Sequence, residues 1–147
     1  LLYSGAWVVE RFTALKDFLA RHPRQILPVL QTILDTAANY SASDVFTGFY
    51  RLAELQQQTN IEWQKMDILV VPTAGTIYKI VEVENDPISL NTNLGYYTNF
   101  VNLLDLAAIA LPAGFREDGL PFGITLIGAS FSDSYLCNLG KLYESTE

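Results

Sequence analysis

The sequence predicts an α/β fold, with part of a mixed β-sheet flanked by helices, and three observations predict it. Helical apolar spacings come first, and strand-like runs with helical stretches between them follow. At 67-DILVVP-72 the apolar period changes from helical spacing to a short continuous run ending in proline, as in a strand buried on both faces. Only three convincing strand runs are present, and so small a sheet has edges that something must cover. The expected sheet is therefore a piece of a larger one.

The elements follow in order. Residues 5–21 read as a helix, because Val8, Phe12, Leu15 and Leu19 fall on one side of it. His22-Pro23 ends it, since the residue before proline is pushed out of the helical region. A second helix is expected over 25–38, with Ile26, Leu27, Leu30, Ile33 and Leu34 on one face. Ser41 or Ser43 is placed to cap a third, whose stripe of Val45, Phe46, Phe49, Leu52, Ala53 and Leu55 runs to between Asn60 and Lys65. After the strand at 67–72, residues 73–94 are rich in Thr, Gly, Asn and Pro and read as a long irregular excursion, often a functional feature. A helix over 98–106, strands over 107–112 and 122–128, and a last helix over 133–143 complete the chain. Gly114, Gly119 and Pro121 shape the corner between the last two strands.

Composition narrows the function classes. Half of the 147 residues are hydrophobic and 17% are charged, a balance which predicts that part of the surface is normally covered. The net charge of −7, with nine scattered basic residues, argues against a nucleic-acid partner, which needs clustered Lys and Arg. No apolar run approaches the roughly 18 residues of a membrane span. The opening LLYSGAWVVERF has neither a basic leader nor a small-residue cleavage site, so no signal peptide is expected. It also lacks an initiator Met, and the chain is expected to be cut from a longer polypeptide. A single cysteine, Cys137, cannot form an internal disulfide, which fits a reducing cytoplasm.

The familiar reactive motifs are missing: GxSxG, the phosphate-binding loop, GxGxxG and HExxH. One His and one Cys exclude zinc sites built from those ligands. His22 reads as a surface residue at a helix C-terminus, and Cys137 as core packing in an amphipathic helix. The acidic 82-EVEND-86 lacks the pattern of a calcium loop and reads as a solvated loop. Tyr96 and Tyr97 read as packing, with pocket lining as the alternative, and Ser130, Ser132 and Ser134 as turn and cap residues. Arg11 stands apart, since it projects from the apolar side of its helix. A buried guanidinium needs an anion. A structural carboxylate, a stem reaching to water and a bound carboxylate ligand all remain open on this reading.

The segments 67-DILVVPT-73, 98-TNFVNLLDLAAIALPAGF-115 and 119-GLPFGITLIGASFSDSYL-136, in that order, resemble the C-terminal half of the amidase signature family. Within it, 1-LLYSGAWVVER-11, 40-YSASDVFTGFYRLAEL-55 and 86-DPISLNTNLGYYTNFVNLLDLAA-108 resemble the allophanate hydrolase subgroup. Thr125 stands where general amidases usually carry Gln, a departure that also suits the subgroup. The resemblance covers essentially the whole chain.

It implies a Ser–cis-Ser–Lys triad whose nucleophilic Ser forms an acyl-enzyme, carried by the family's N-terminal half. This chain has no Ser-Ser pair and no Gly/Ser-rich loop, and Lys16, Lys65, Lys79 and Lys141 do not match the family's catalytic Lys. No catalytic residue, metal or cofactor is therefore expected within residues 1–147, and the chain alone is expected to be inactive. The implied role is that of the C-terminal half of a single, cytoplasmic amidase domain, which completes the sheet and binds substrate. Tyr3 and Arg11 match a Tyr–Arg pair of the subgroup, eight residues apart, implicated in holding allophanate (urea-1-carboxylate) for hydrolysis to ammonia and carbon dioxide. The implied partners are allophanate and the N-terminal half of the same enzyme; a urea carboxylase and a second copy forming a homodimer are also allowed. No nucleic acid or membrane is expected. Another small carboxylated amide as substrate, or a truncated non-catalytic module, are the alternatives.

Overall fold

The computed structural model describes residues 5–145. The chain divides into two compact units, with the boundary between Glu54 and Leu55.

In the first unit, proline sets the helix limits. Helix α1 (Trp7–Arg21) stops before His22, which takes φ −134° and ψ 53° ahead of Pro23. The same rule shortens the second helix, which the apolar spacing alone had extended to 25–38. Leu27 precedes Pro28 and is held extended at ψ 136°, so α2 covers only Pro28–Asp35. Pro28 sits in its first turn, where a missing N–H is harmless. A 3-10 helix, Thr36–Asn39, follows.

Helix α3 (Ala42–Trp63) starts on a reciprocal cap, and Ser41 rather than Ser43 provides it. Asp44 Oδ2 accepts from the Ser41 backbone N–H at 2.8 Å and from its hydroxyl at 2.6 Å, while Ser41 Oγ accepts from the Asp44 N–H at 3.2 Å. The Ser41 hydroxyl, then its backbone N–H, hold the Asp44 carboxyl below its ordinary pKa. A depressed carboxyl pKa gives stability that is present above the unfolded value and lost as pH falls through the folded one. The first turn of α3 should therefore open under acid, and Asp44→Asn should abolish that pH dependence. Hydrogen exchange of the Asp44 and Val45 amides between pH 5 and pH 2 reads this out; an unchanged profile in the variant would remove the cap from the account.

Val8, Leu34 and Ala37 are buried in this unit. Gly48 packs where a Cβ would stand 3.3 Å from Ala6 Cβ, and Trp7 meets Phe49 edge to face at 5.3 Å. Phe12, Leu15 and Phe18 of α1 nevertheless remain exposed, as do Phe46 and Phe49 of α3.

The second unit is built on strands β1 (Leu69–Pro72), β2 (Ala107–Phe115) and β3 (Pro121–Gly128). They lie in the order β1-β3-β2, with both pairings antiparallel. Thr125 of β3 sits between Val71 and Ala110. The expectation that 67–72 is covered on both faces fails: β1 is an edge strand among the described residues, and its Val70 is 51% exposed. The central strand takes the buried place, with Leu126 and Ile127 in the core.

The corner between β2 and β3 forms as the sequence predicts, but β2 runs past Pro112 to Phe115 through an irregularity in register. Gly114 and Gly119 take φ 90° and 80°, the left-handed region that a Cβ disfavours. Gly119 N donates to Arg116 O at 2.9 Å, and Arg116 N to Leu120 O at 2.8 Å. Gly119→Ala should lower the unfolding free energy by about 1–2 kcal/mol. A urea midpoint equal to the parent's would show that the turn relaxes to another shape.

Residues 73–94 are not one irregular excursion. They hold α4 (Ile80–Asn85) and α5 (Pro87–Leu94), so the acidic 82–86 stretch is helix and cap, not solvated loop. The Glu82 carboxylate accepts from Lys79 N–H at 2.7 Å, and Asp86 Oδ1 accepts from Ser89 N–H at 3.1 Å. Local caps start these helices, which is why apolar periodicity misses them. The helix expected over 98–106 contracts to α6 (Phe100–Leu103), ended by Asp105 at φ 54°.

Helix α7 (Asp133–Glu144) closes the unit. Leu136 and Gly140, four residues apart, face the sheet. Leu136 joins Ala107, Leu111 and Leu126 in the core, and a Cβ on Gly140 would come within 3.0 Å of Leu111 Cδ2. This phase turns Cys137 outward, where it is exposed. Its expected place in the core is thereby overturned.

Candidate functional site

Of the two residues expected to hold substrate, Tyr3 lies outside the described residues. Arg11 lies in the second turn of α1 and is half-buried. Its neighbours along the apolar stripe differ in burial: Val8 is enclosed and Leu15 is exposed. The first unit also holds a cavity of about 410 Å³, lined among others by Trp7, Glu10, Thr13 and Phe49. Arg11 is not part of that lining.

The larger concavity is in the second unit, and the sequence did not single it out. A cleft of about 930 Å³ opens where residues 73–77 leave β1 and pass the β2–β3 corner. Small residues let the backbone line it: Ala74, Gly75, Gly114 and Gly123 all contribute. Leu111, Phe115 and Phe122 supply apolar wall, while Thr73, Thr76 and Arg116 supply hydrogen-bond donors. The Arg116 guanidinium pairs with Asp118 at 2.9 Å, with both side chains well exposed.

The wall segment 73–77 is pinned from two sides. Thr73 N donates to Gly123 O at 2.9 Å, and Thr73 Oγ1 lies 2.9 Å from Thr125 Oγ1. Behind it, the Tyr97 ring packs on Gly75, where a Cβ would approach the ring at 3.2 Å. Tyr97 meets Tyr96 edge to face at 5.1 Å; Tyr97 packs, as expected, whereas Tyr96 is 74% exposed, and neither ring lines the cleft. The signal for this site was present in 72-PTAGT-76, a proline followed by small and hydroxyl residues. Its meaning depends on β3 lying beside β1, which local spacing does not reveal.

The remaining candidates have structural roles. His22 caps α1 through its backbone, donating to Phe18 O at 2.8 Å, and its ring lies 5.0 Å from that of Phe18. Ser132 Oγ donates to Ala129 O at 2.7 Å within its turn, whereas Ser130 Oγ donates to Asp105 O and ties that turn to the one before β2. Among the described residues, no helix is long and apolar enough to cross a membrane.

Comparison with known proteins agrees with the sequence resemblance. The model of the family described as Amidase matches residues 8–137. The urea amidolyase of Lachancea kluyveri is 44% identical over 144 residues, which is 97% of this chain and 8% of that protein. The solved structure of the allophanate hydrolase of Kluyveromyces lactis superposes with a TM-score of 0.89 at 45% identity, over 95% of this chain and 23% of that one. The urea amidolyase of the same organism gives the same TM-score and identity but is covered over only 9% of its length. This chain thus spans a small part of the relatives it matches. It belongs to the amidase signature family, close to allophanate hydrolase.

Proposed function

We propose that this chain is the C-terminal half of the amidase domain of an enzyme that hydrolyses allophanate to ammonia and carbon dioxide. The observation that carries the reading is the similarity to the Kluyveromyces lactis allophanate hydrolase, at 45% identity and TM-score 0.89 over 95% of the chain. The acyl-transfer groups then belong to the remainder of the enzyme, and this half completes the sheet and binds substrate. Allophanate carries a carboxylate beside its scissile amide. A planar guanidinium can grip both carboxylate oxygens at once, which orients the amide carbonyl for attack. Arg11, with Tyr3 eight residues before it in the sequence, is the group assigned to that grip. The half-burial of Arg11 supports the reading, since partial desolvation strengthens a charge-assisted hydrogen bond.

The sequence resemblance extends the proposal to a urea carboxylase, fused or separate, as the source of the substrate, in the cytoplasm. The test is ammonia release from allophanate, measured for the intact protein that contains this chain and for purified residues 1–147. Release by the intact protein alone is expected. Release by the 147 residues would overturn the division of labour, and hydrolysis only of some other carboxylated amide would replace the substrate. No hydrolysis of any amide by the intact protein would favour a non-catalytic module.

A further inference from the structure

Thr125 is the buried polar side chain of the described residues, 4% exposed at the middle of the central strand. Its hydroxyl meets the Thr73 hydroxyl across 52 residues of sequence, at 2.9 Å. The absence of a side chain on Gly123 permits this approach, because a Cβ there would stand 3.1 Å from Thr73 Oγ1 and 3.2 Å from Leu111 O. Thr73 is thus held by its backbone to Gly123 and by its side chain to Thr125.

Two hydroxyls that share one hydrogen bond have one proton to spare, and burial decides which. Thr125 is 4% exposed, so a proton it did not give to Thr73 would be shut away from water, and losing that partner carries a desolvation penalty. The distance alone allows either hydroxyl to donate; burial favours Thr125 as the donor and Thr73 Oγ1 as the acceptor. Thr73 is half-buried and lines the cleft, so its own proton is free to point into it. Accepting one hydrogen bond also strengthens the next one given. The cleft offers the Thr73 and Thr76 hydroxyls and Arg116, and no carboxylate or side-chain amide lines it. Such a lining suits a ligand that brings acceptor oxygens.

We infer that Thr125 is a positioning residue that fixes the Thr73 hydroxyl as an inward-facing donor to an oxygen of the small amide substrate. This rests on the amide-hydrolase reading above. Thr125→Val keeps the side-chain shape and removes only the hydroxyl, so the fold is retained while Thr73 is released to rotate.

The experiment is a kinetic cycle in the intact enzyme with allophanate, using Thr125→Val, Thr73→Val, the double variant and Thr125→Ser. Thr125→Val should raise KM about fivefold and Thr73→Val about tenfold, typical of one lost neutral hydrogen bond, with kcat changed less. The double variant should match Thr73→Val, because Thr125 acts only through Thr73, and Thr125→Ser should restore the parental KM. An unchanged KM in Thr125→Val, or a double variant that multiplies the single effects, overturns the inference. If the enzyme hydrolyses no allophanate, the functional reading falls and the hydroxyl pair is judged by hydrogen exchange instead. Thr125→Val should then speed exchange of the Thr73 amide about tenfold, relative to the amides of β3, as a lost clamp loosens the segment; Thr125→Ser should not. Equal exchange in parent and variant overturns the positioning role on that arm.

Discussion

Arg11→Lys in the intact enzyme is expected to lower kcat/KM for allophanate by about 10- to 100-fold, the scale of a charge-assisted hydrogen bond worth about 1.5–3 kcal/mol. Lysine keeps the positive charge but offers a point ammonium in place of a planar fork, so one of the two parallel contacts proposed to the carboxylate would be lost. Orientation suffers more than attraction, and kcat should fall along with the rise in KM. A substrate amide without the carboxylate should be nearly indifferent to the substitution, and that contrast separates a lost grip from a damaged fold. Arg11 is half-buried on α1, so a modest loss of stability is expected and thermal unfolding serves as the control. Kinetics close to the parental values with allophanate would remove Arg11 from the substrate site.

Leu136→Ala should lower unfolding free energy by about 3 kcal/mol, within the usual range for a buried leucine truncated to alanine. Leu136 is 1% exposed and packs with Ala107, Leu111 and Leu126 beneath α7. The helix cannot settle to fill the space, because Gly140 already brings it against Leu111, with only 3.0 Å left for a Cβ. Cys137→Ser, one residue on and exposed, should change stability by less than about 0.5 kcal/mol. Urea midpoints of the two variants measure the difference. A loss below about 1 kcal/mol for Leu136→Ala, or an equal loss for Cys137→Ser, would show that α7 is seated in another phase.

These two adjacent residues show what local sequence can and cannot say. The pattern SYLCNLGKLY announces an amphipathic helix, but Cys and Leu are both common in cores. Which of them faces inward depends on where the helix lands on the sheet. Gly140 decides this, since only there can the helix backbone approach Leu111 so closely. The short helices α4 and α5 were missed for a related reason: caps at Lys79 and Asp86 start them, and neither builds an apolar stripe. The end of α1 was read from Pro23, and the start of α2 was legible in the same way from Pro28, because the restriction on the residue before proline is local and steric.

By itself the sequence determined the α/β class, the three strands, the glycine-shaped corner and membership of the amidase signature family. Each rests on order and periodicity along the chain, or on long motifs in fixed sequence. Only tertiary structure decided that β3 lies centrally between two antiparallel neighbours. That pairing brings Thr73 and Thr125 within hydrogen-bond distance and hollows a cleft beside them. Contacts across 52 residues depend on strand pairing and on the space left by Gly123. No local spacing encodes either, because the free energy of pairing is collected only when the whole sheet has formed.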